Sequence, residues 1–505
     1  MASDYPLDVC LHRGFYNMML KKMALAVLGL SCVSTFACTT IVVGKAASAD
    51  GSILVGRNVD GDDGNHPVHF IKHDAMAKGF LFKSVQSQFT YQMPDHLMSY
   101  TGLPDFDGKS QSYEEAGFNT AGVSMSATET IVSSDAALKA DPYLDKTGLT
   151  ESEVTSILLP QIKSARQGVE MLGKIIETQG SGEGFGIVFA DKNEAWYLEN
   201  GAGHQWVAVR IPDNMYFVSA NQGRIREVDL NDTANVMASK DLASFAVKSG
   251  LAQARTDGKF DFFAAYTDDG PKNAYYNYNR VWTVQGIYNP GMKSDSFKDG
   301  KAPLFLKPEH SLSVTDVEAA LQNHYQGKDY EPYFNQNPKA QYRPISVFRA
   351  QESHVLALRS TLPMPIANVQ YLELGMTALG IYVPFYQGAK IPAEYQDNTD
   401  HADSTSAWWK FRKLQALVMQ DFPKYAPKVT DAYAKLNADI QQQQAAFEKE
   451  YVKAYAKSPK QAEKLLDAFT AHTVSQVDAL TEQLTNDVFT QLASDVTHKY
   501  LFHGA

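Results

Sequence analysis

The chain has 505 residues, 44% of them apolar and 20% charged, with a formal net charge of −11. This is the composition of an ordinary globular protein with ample material for a core. The acidic balance argues against nucleic acid or an anionic membrane surface as the main partner.

At the N-terminus, Lys21 and Lys22 precede a short apolar run, Met23 to Leu30, followed by small residues from Ser31 to Ala37. That order reads as a secretory leader, with Thr35 and Ala37 at positions −3 and −1 of a cleavage point before Cys38. Met18, Met19 and Met23 are alternative starts. An uncleaved anchor fits less well, because the apolar run is short for a span and the text after Cys38 reads as a strand. Lipidation of Cys32 or Cys38 lacks the usual Leu-small-small approach. The expectation is an exported protein, periplasmic or secreted. Of the three cysteines, Cys10, Cys32 and Cys38, cleavage leaves Cys38 alone, with no internal disulfide. A single thiol at a new terminus in an oxidising compartment points to reactivity rather than inert burial.

From Cys38 onward, β-branched Thr39 to Val43 and then Ser52 to Arg57 predict two strands joined through the turn dipeptide Asp50-Gly51. Further strands are expected at 122–127, 186–190, 195–199 and 205–210, at spacings that suggest antiparallel sheets. Thr150 followed by Glu153 is a capping box opening a helix to about Ser164, and Val169, Leu172 and Ile176 carry a second from Ala165 to Thr178. Val314 to Gln322 is a helix with Thr315 or Asp316 as cap. The Tyr-, Asn- and Pro-rich text between about Asn273 and Pro363 otherwise reads as loops and strands. From Thr430 the text becomes rich in Ala, Gln, Lys and Glu, predicting a long helix to about Ala456. Ser458-Pro459 is then a cap and first-turn proline for one or two more helices. The expected domains are a leader (1–37), a catalytic domain (38–412) and a helical C-terminal extension (413–505). The extension packs on the main domain, with homo-oligomer contacts as the alternative.

An N-terminal cysteine carries its own base. Its α-amine (pKa about 7.7–8) lies close to a thiol of about 8.5. The amine can take the thiol proton and return it to a leaving amine. A nearby cation would hold the thiolate. Arg57, at the far end of the first hairpin, suits that role, and Asp60 suits orientation of the arginine or the amine.

Cys38-Thr-Thr-Ile-Val-Val-Gly-Lys45, Ser48-Ala-Asp-Gly-Ser52 and Gly56-Arg-Asn-Val-Asp60 together resemble the opening of the C69 dipeptidases. These are N-terminal nucleophile hydrolases related in fold to penicillin V and bile-salt acylases. The resemblance continues through Gly117-Phe-Asn-Thr-Ala-Gly-Val-Ser-Met-Ser-Ala-Thr-Glu129, Glu194-Ala-Trp-Tyr-Leu-Glu199 and Gly203-His-Gln-Trp206. It extends to Ser219-Ala-Asn-Gln-Gly-Arg-Ile225 and Ser406-Ala-Trp-Trp409, so it covers most of the chain from Cys38 to about Arg412. It implies a four-layer αββα sandwich with the nucleophile on a central strand, and hydrolysis of dipeptides without a cofactor. It also implies roles for single residues. Cys38 would be nucleophile and, through its amine, base. Arg57 would support the thiolate and Asp60 hold the amine. Asn119 and Asn221 would be oxyanion-hole or amine-orienting donors, and Arg280 would complete the electrostatics. An amidase or acylase of the same fold, acting on a small non-peptide amide, and a non-catalytic envelope binding protein are the rival readings.

Other patterns carry less. His66, His69 and His73 do not share a strand face and Pro67 opposes a helix, so no metal site is expected. Asp60, Asp62, Asp63 and Asn65 lack the spacing and terminal Glu of a calcium loop. Gly180 to Gly186 fails the dinucleotide-binding spacing, and Gly122-Val-Ser-Met-Ser126 misses the nucleophile-elbow pattern at its last position. Trp408 and Trp409 are expected in the core.

Overall fold

In the computed structural model, which describes residues 38–61, 64–104, 114–293, 298–334, 337–397 and 399–500, Thr39–Val43 (β1) pairs antiparallel with Ile53–Asp60 (β2). Between them Gly51 takes φ +79°, open to glycine at no steric cost, and Asp50 Oδ1 accepts from the Ser52 N–H at 3.0 Å. The expected leader, with Cys10 and Cys32, lies outside the described residues, as do Asp62 and Asp63.

The remaining strands of the two large sheets are Ala116–Phe118 (β3), Ser124–Thr130 (β4), Phe185–Ala190 (β5), Ala195–Asn200 (β6), Trp206–Arg210 (β7), Tyr216–Ser219 (β8), Val236–Ala238 (β9), Phe305–Leu306 (β10), Ala350–Leu358 (β11), Asn368–Leu374 (β12) and Val383–Tyr386 (β13). Among the described residues, one sheet has seven strands in the order β10-β8-β1-β2-β11-β12-β13, and the other has six in the order β9-β7-β6-β5-β4-β3. Every residue of β1 and β2 is buried, which is why neither shows the alternation of a half-exposed strand. One face of the larger sheet, through Val42, Val55 and Leu356, shares a core with Val188, Tyr197 and Val207 of the smaller. The other face, through Ile41, Leu54 and Val355, packs on helical residues Val281, Val284, Val317 and Leu321.

The longer helices are Glu151–Leu158 (α1), Ala165–Gln179 (α2), Tyr278–Tyr288 (α3), Val314–Leu321 (α4), Ala407–Val418 (α5), Phe422–Lys457 (α6) and Pro459–Lys499 (α7). Helix α1 opens on the expected capping box: Glu153 Oε2 accepts from the Thr150 N–H at 2.7 Å. Val169, Leu172 and Ile176 of α2 pack on Phe189, Trp196 and Leu198 of the smaller sheet.

Three expectations need amending. The text around Arg280 forms α3, not loop, because Val281, Val284 and Tyr288 bury against the larger sheet and this contact overrides weak local propensity. Helix α4 is capped by Ser313, two residues ahead of Thr315 and three ahead of Asp316, the expected caps. Ser313 Oγ accepts from the Asp316 N–H at 3.2 Å, and Asp316 Oδ2 accepts from the Ser313 N–H at 2.8 Å. The long helix starts at Phe422, ahead of Thr430, with Pro427 tolerated within its first turns. One helix, capped by Ser458 with Pro459 in first place, follows it.

Position 412, the expected domain limit, falls inside α5. Trp408 and Trp409 are buried, and the Trp408 indole N–H donates to Gln351 O at 2.9 Å. Tyr433, Val477 and Leu484 of α6 and α7 join the same core as β2. Among the described residues no helix is long and apolar enough to cross a membrane.

Gly56 lets α4 lie close on β2, since an added Cβ would sit 2.5 Å from Val317 Cγ1 and 3.1 Å from Leu321 Cδ1. Gly56→Ala is therefore expected to lower stability by about 1–3 kcal/mol, read as a lower urea midpoint.

Candidate active site

The register of β1 and β2 builds the centre of the site. Thr40 lies opposite Arg57, so the two side chains share a face, and period-two alternation puts Cys38 on that face as well. Arg57 is thus the diagonal neighbour of Cys38. Its Nη2 donates to Cys38 Sγ at 3.0 Å. Its Nη1 ion-pairs with Glu115 at 2.8 Å and also donates to Ala127 O. All three side chains are buried, Cys38 completely. Burial pushes the Cys38 thiol up to about 12; Arg57 opposes that rise, while Glu115 and Asp60 add to it.

Asp60, at the end of β2, is fully buried and ion-paired to Arg343. Its other oxygen, Oδ1, has no hydrogen-bond partner among the described residues. Burial is the largest influence on Arg343 and disfavours its charge, but Asp60, Tyr276, Cys38 and Tyr325 together outweigh it, and the pKa is raised.

Arg280 reaches the nucleophile from α3. Its Nη1 donates to Cys38 O and, at 2.9 Å, to Thr39 Oγ1. Its Nη2 donates to Asn221 Oδ1 at 3.0 Å and Asn277 Oδ1 at 2.6 Å. Burial, followed by the nearby Arg343, pulls its pKa down. Cys38, Arg57, Asp60, Asn221 and Arg280 thus belong to one connected buried cluster.

Asn119 is used differently. Its Nδ2 donates to Leu159 O and Ile162 O, each at 2.7 Å, and its Oδ1 accepts from the Ala121 and Val123 N–H groups. Both amide hydrogens are therefore committed to backbone carbonyls, and the side chain braces the turn between β3 and β4. His69 Nδ1 meets Gln396 O at 2.6 Å, and His73 meets Glu114 and stacks on Tyr100.

Sequence reasoning passed over Glu115, Arg343 and a buried chain beside Arg57. His354 lies opposite Arg57 across β2 and β11. Its Nε2 is 2.9 Å from Ser126 Oγ on the smaller sheet, and its Nδ1 is 2.9 Å from Glu352. The order Ser–His–Glu is that of an acyl-transfer triad, yet all three side chains are closed off from solvent. Here they tie the two sheets together next to the arginine. No spacing in the sequence relates residues 57, 126 and 354; strand register alone does.

The family model for peptidase family C69 matches residues 37–435. The chain belongs to peptidase family C69. It is a peptidase. Among its relatives, a protein of Salmonella dublin named probable dipeptidase is 49% identical over 382 residues, covering 76% of this chain and 87% of that one. A probable dipeptidase of Latilactobacillus sakei is 33% identical over 467 residues, 91% of this chain and 96% of the relative. A dipeptidase of Bifidobacterium longum is 34% identical over 412 residues, 75% and 77% of the two chains.

Within this C69 site the buried Arg57–Glu115 pair gives a direct test. Removing one partner leaves a buried charge uncompensated, so Glu115→Ala is expected to cost about 3–5 kcal/mol in denaturant unfolding. Replacing both, as Arg57→Met with Glu115→Met, is expected to recover most of that loss while leaving the nucleophile without its cation.

Proposed function

We propose that this protein is an exported cysteine dipeptidase in which Cys38 becomes the first residue of the mature chain. The observation that carries the reading is the guanidinium of Arg57, 3.0 Å from the Cys38 sulfur, in a chain of a peptidase family whose relatives are named dipeptidases. The same reading takes the two large sheets and their flanking helices as the αββα sandwich of the N-terminal nucleophile hydrolases, with residues 1–37 as leader and the helices after 412 as an extension.

Cleavage before Cys38 releases an α-amine on the residue that carries the thiol. The amine takes the thiol proton, and the thiolate attacks the peptide carbonyl to form a C–S bond. The resulting oxyanion collapses to a thioester. The C–N bond breaks as the α-ammonium returns its proton to the departing amino acid. Water, deprotonated by the same amine, then hydrolyses the thioester and restores the thiol.

The unpartnered Oδ1 of Asp60 is a ready acceptor for the α-ammonium. Arg57 stabilises the thiolate once the amine has taken its proton. Arg280, through Cys38 O and Asn221, fixes the residue's backbone, and Asn221 is the side-chain candidate for the oxyanion. Asn119 serves that end by shaping the β3–β4 turn. No step calls on a metal or organic cofactor.

N-terminal sequencing of the active protein should begin Cys-Thr-Thr-Ile; full activity with residues still ahead of Cys38 would rule the mechanism out. Cys38→Ala is expected to abolish turnover with the melting temperature little changed.

The pH dependence has a definite sign. Arg57 lowers the thiol pKa, so Arg57→Met raises it further and reduces the thiolate fraction at neutral pH. The expected result is a loss of at least about tenfold in kcat/KM at pH 7, with the alkaline-rising limb of the profile moved to higher pH. An unmoved limb would count against the role given to Arg57.

A further inference from the structure

A dipeptide differs from every longer peptide in bearing a free carboxylate one residue beyond the scissile bond. A dipeptidase that uses this difference needs a cationic pocket near its nucleophile, on the leaving-group side. Tyr276 is surrounded by cations. The guanidinium of Arg343 lies 5.1 Å from its ring centroid, that of Arg280 5.6 Å, and the Lys272 ammonium 4.5 Å, all within cation–π range. Arg349 Nη2 donates to the Tyr276 hydroxyl at 3.1 Å, and Arg349 Nη1 donates to Gly61 O at the end of β2.

Burial would raise the phenol's pKa, but Arg343, Arg349 and Arg280 outweigh it and hold the group below its ordinary value. The acidic member of the cluster is Asp60, paired with Arg343. Lys272, Arg280 and Arg349 form no ion pair with a described carboxylate. The cluster therefore carries excess positive charge. It adjoins the nucleophile through Arg280, which donates both to Cys38 O and, from Nε, to Tyr276 O at 3.0 Å. Tyr276 and Arg349 are half-buried and Lys272 is exposed, so the cluster opens to solvent where Asp60 and Cys38 do not.

We propose that Tyr276 and Arg349 receive the free α-carboxylate of the substrate's C-terminal residue, with Arg343 and Lys272 supplying the field that draws it in. The inference rests on the dipeptidase reading above and adds the group that selects a two-residue substrate. The Tyr276 hydroxyl accepts from Arg349 and stands as an O–H donor toward the carboxylate, which meets the Arg349 guanidinium beside it; a charged partner makes such hydrogen bonds strong.

The test compares the processed full-length protein on its best-cleaved dipeptide and on the C-terminal amide of that dipeptide, which lacks the negative charge. Wild type should prefer the free acid. Tyr276→Phe and Arg349→Gln should each cut the acid-to-amide ratio of kcat/KM by roughly 10–100-fold, with the loss appearing in KM, and Arg349→Lys should restore part of it. An unchanged ratio in Tyr276→Phe, which keeps the ring and the fold, overturns the proposal even if Arg349→Gln proves unstable. A wild type that cleaves acid and amide equally well overturns it too, while leaving the dipeptidase reading intact. A wild type that cleaves no dipeptide removes that reading, and this inference with it.

Discussion

A buried guanidinium holds this structure's centre together. Arg57 projects from a strand closed on both faces, and its charge has no access to water. Such a cation is tolerable only when anionic and carbonyl partners meet it in fixed geometry. Glu115 and Ala127 O supply those partners from the smaller sheet. The contact therefore requires that both sheets be formed and packed before it exists. Its Nη2 is turned toward sulfur. The demand of a buried charge for complete neutralisation and the demand of a thiolate for a cation are met by the same side chain.

The neighbouring charges extend that logic. Asp60 and Arg343 form a second buried pair one strand-end away, and Arg280 binds the backbone oxygen of Cys38 itself. In a medium of low effective dielectric these groups act on one another far more strongly than they would in water. The Cys38 thiol feels Arg57 in one direction and Glu115 and Asp60 in the other. Burial is the largest influence and leaves the thiol raised, so Arg57 is the charge that works in the direction of the thiolate. The Glu352–His354–Ser126 chain lies next to Arg57 and stiffens the inter-sheet contact on which that balance depends.

Much of the fold was legible because local chemistry and tertiary packing agree. The β-branched run after Cys38, the Asp50-Gly51 turn, the Thr150–Glu153 box and the Ser458-Pro459 start each specify one backbone conformation without outside help. Helix α3 was not legible. Its Tyr-Asn-Arg-Val-Trp text has indifferent helix propensity, and burial of Val281, Val284 and Tyr288 against the larger sheet decides it. That misreading hid the way Arg280 reaches the nucleophile. Asn119 shows the converse. A motif marks the position, but whether an amide faces a reaction centre or two carbonyls depends on where residues 159 and 162 end up.

By itself the amino-acid sequence determined the strand that follows Cys38, the arginine and aspartate three residues apart on the next strand, and the family to which they point. These are local matters: alternation along a strand and the length of a hairpin place Arg57 beside Cys38 whatever the rest of the chain does. Tertiary structure alone decided that Glu115 completes Arg57, that Arg343 occupies Asp60, that His354 stands across from Arg57, and that Arg343 and Arg349 come to Tyr276. Those partners lie tens to hundreds of residues apart. Their meeting is set by sheet order and by the packing of one sheet on the other, for which no short stretch of sequence carries a signal.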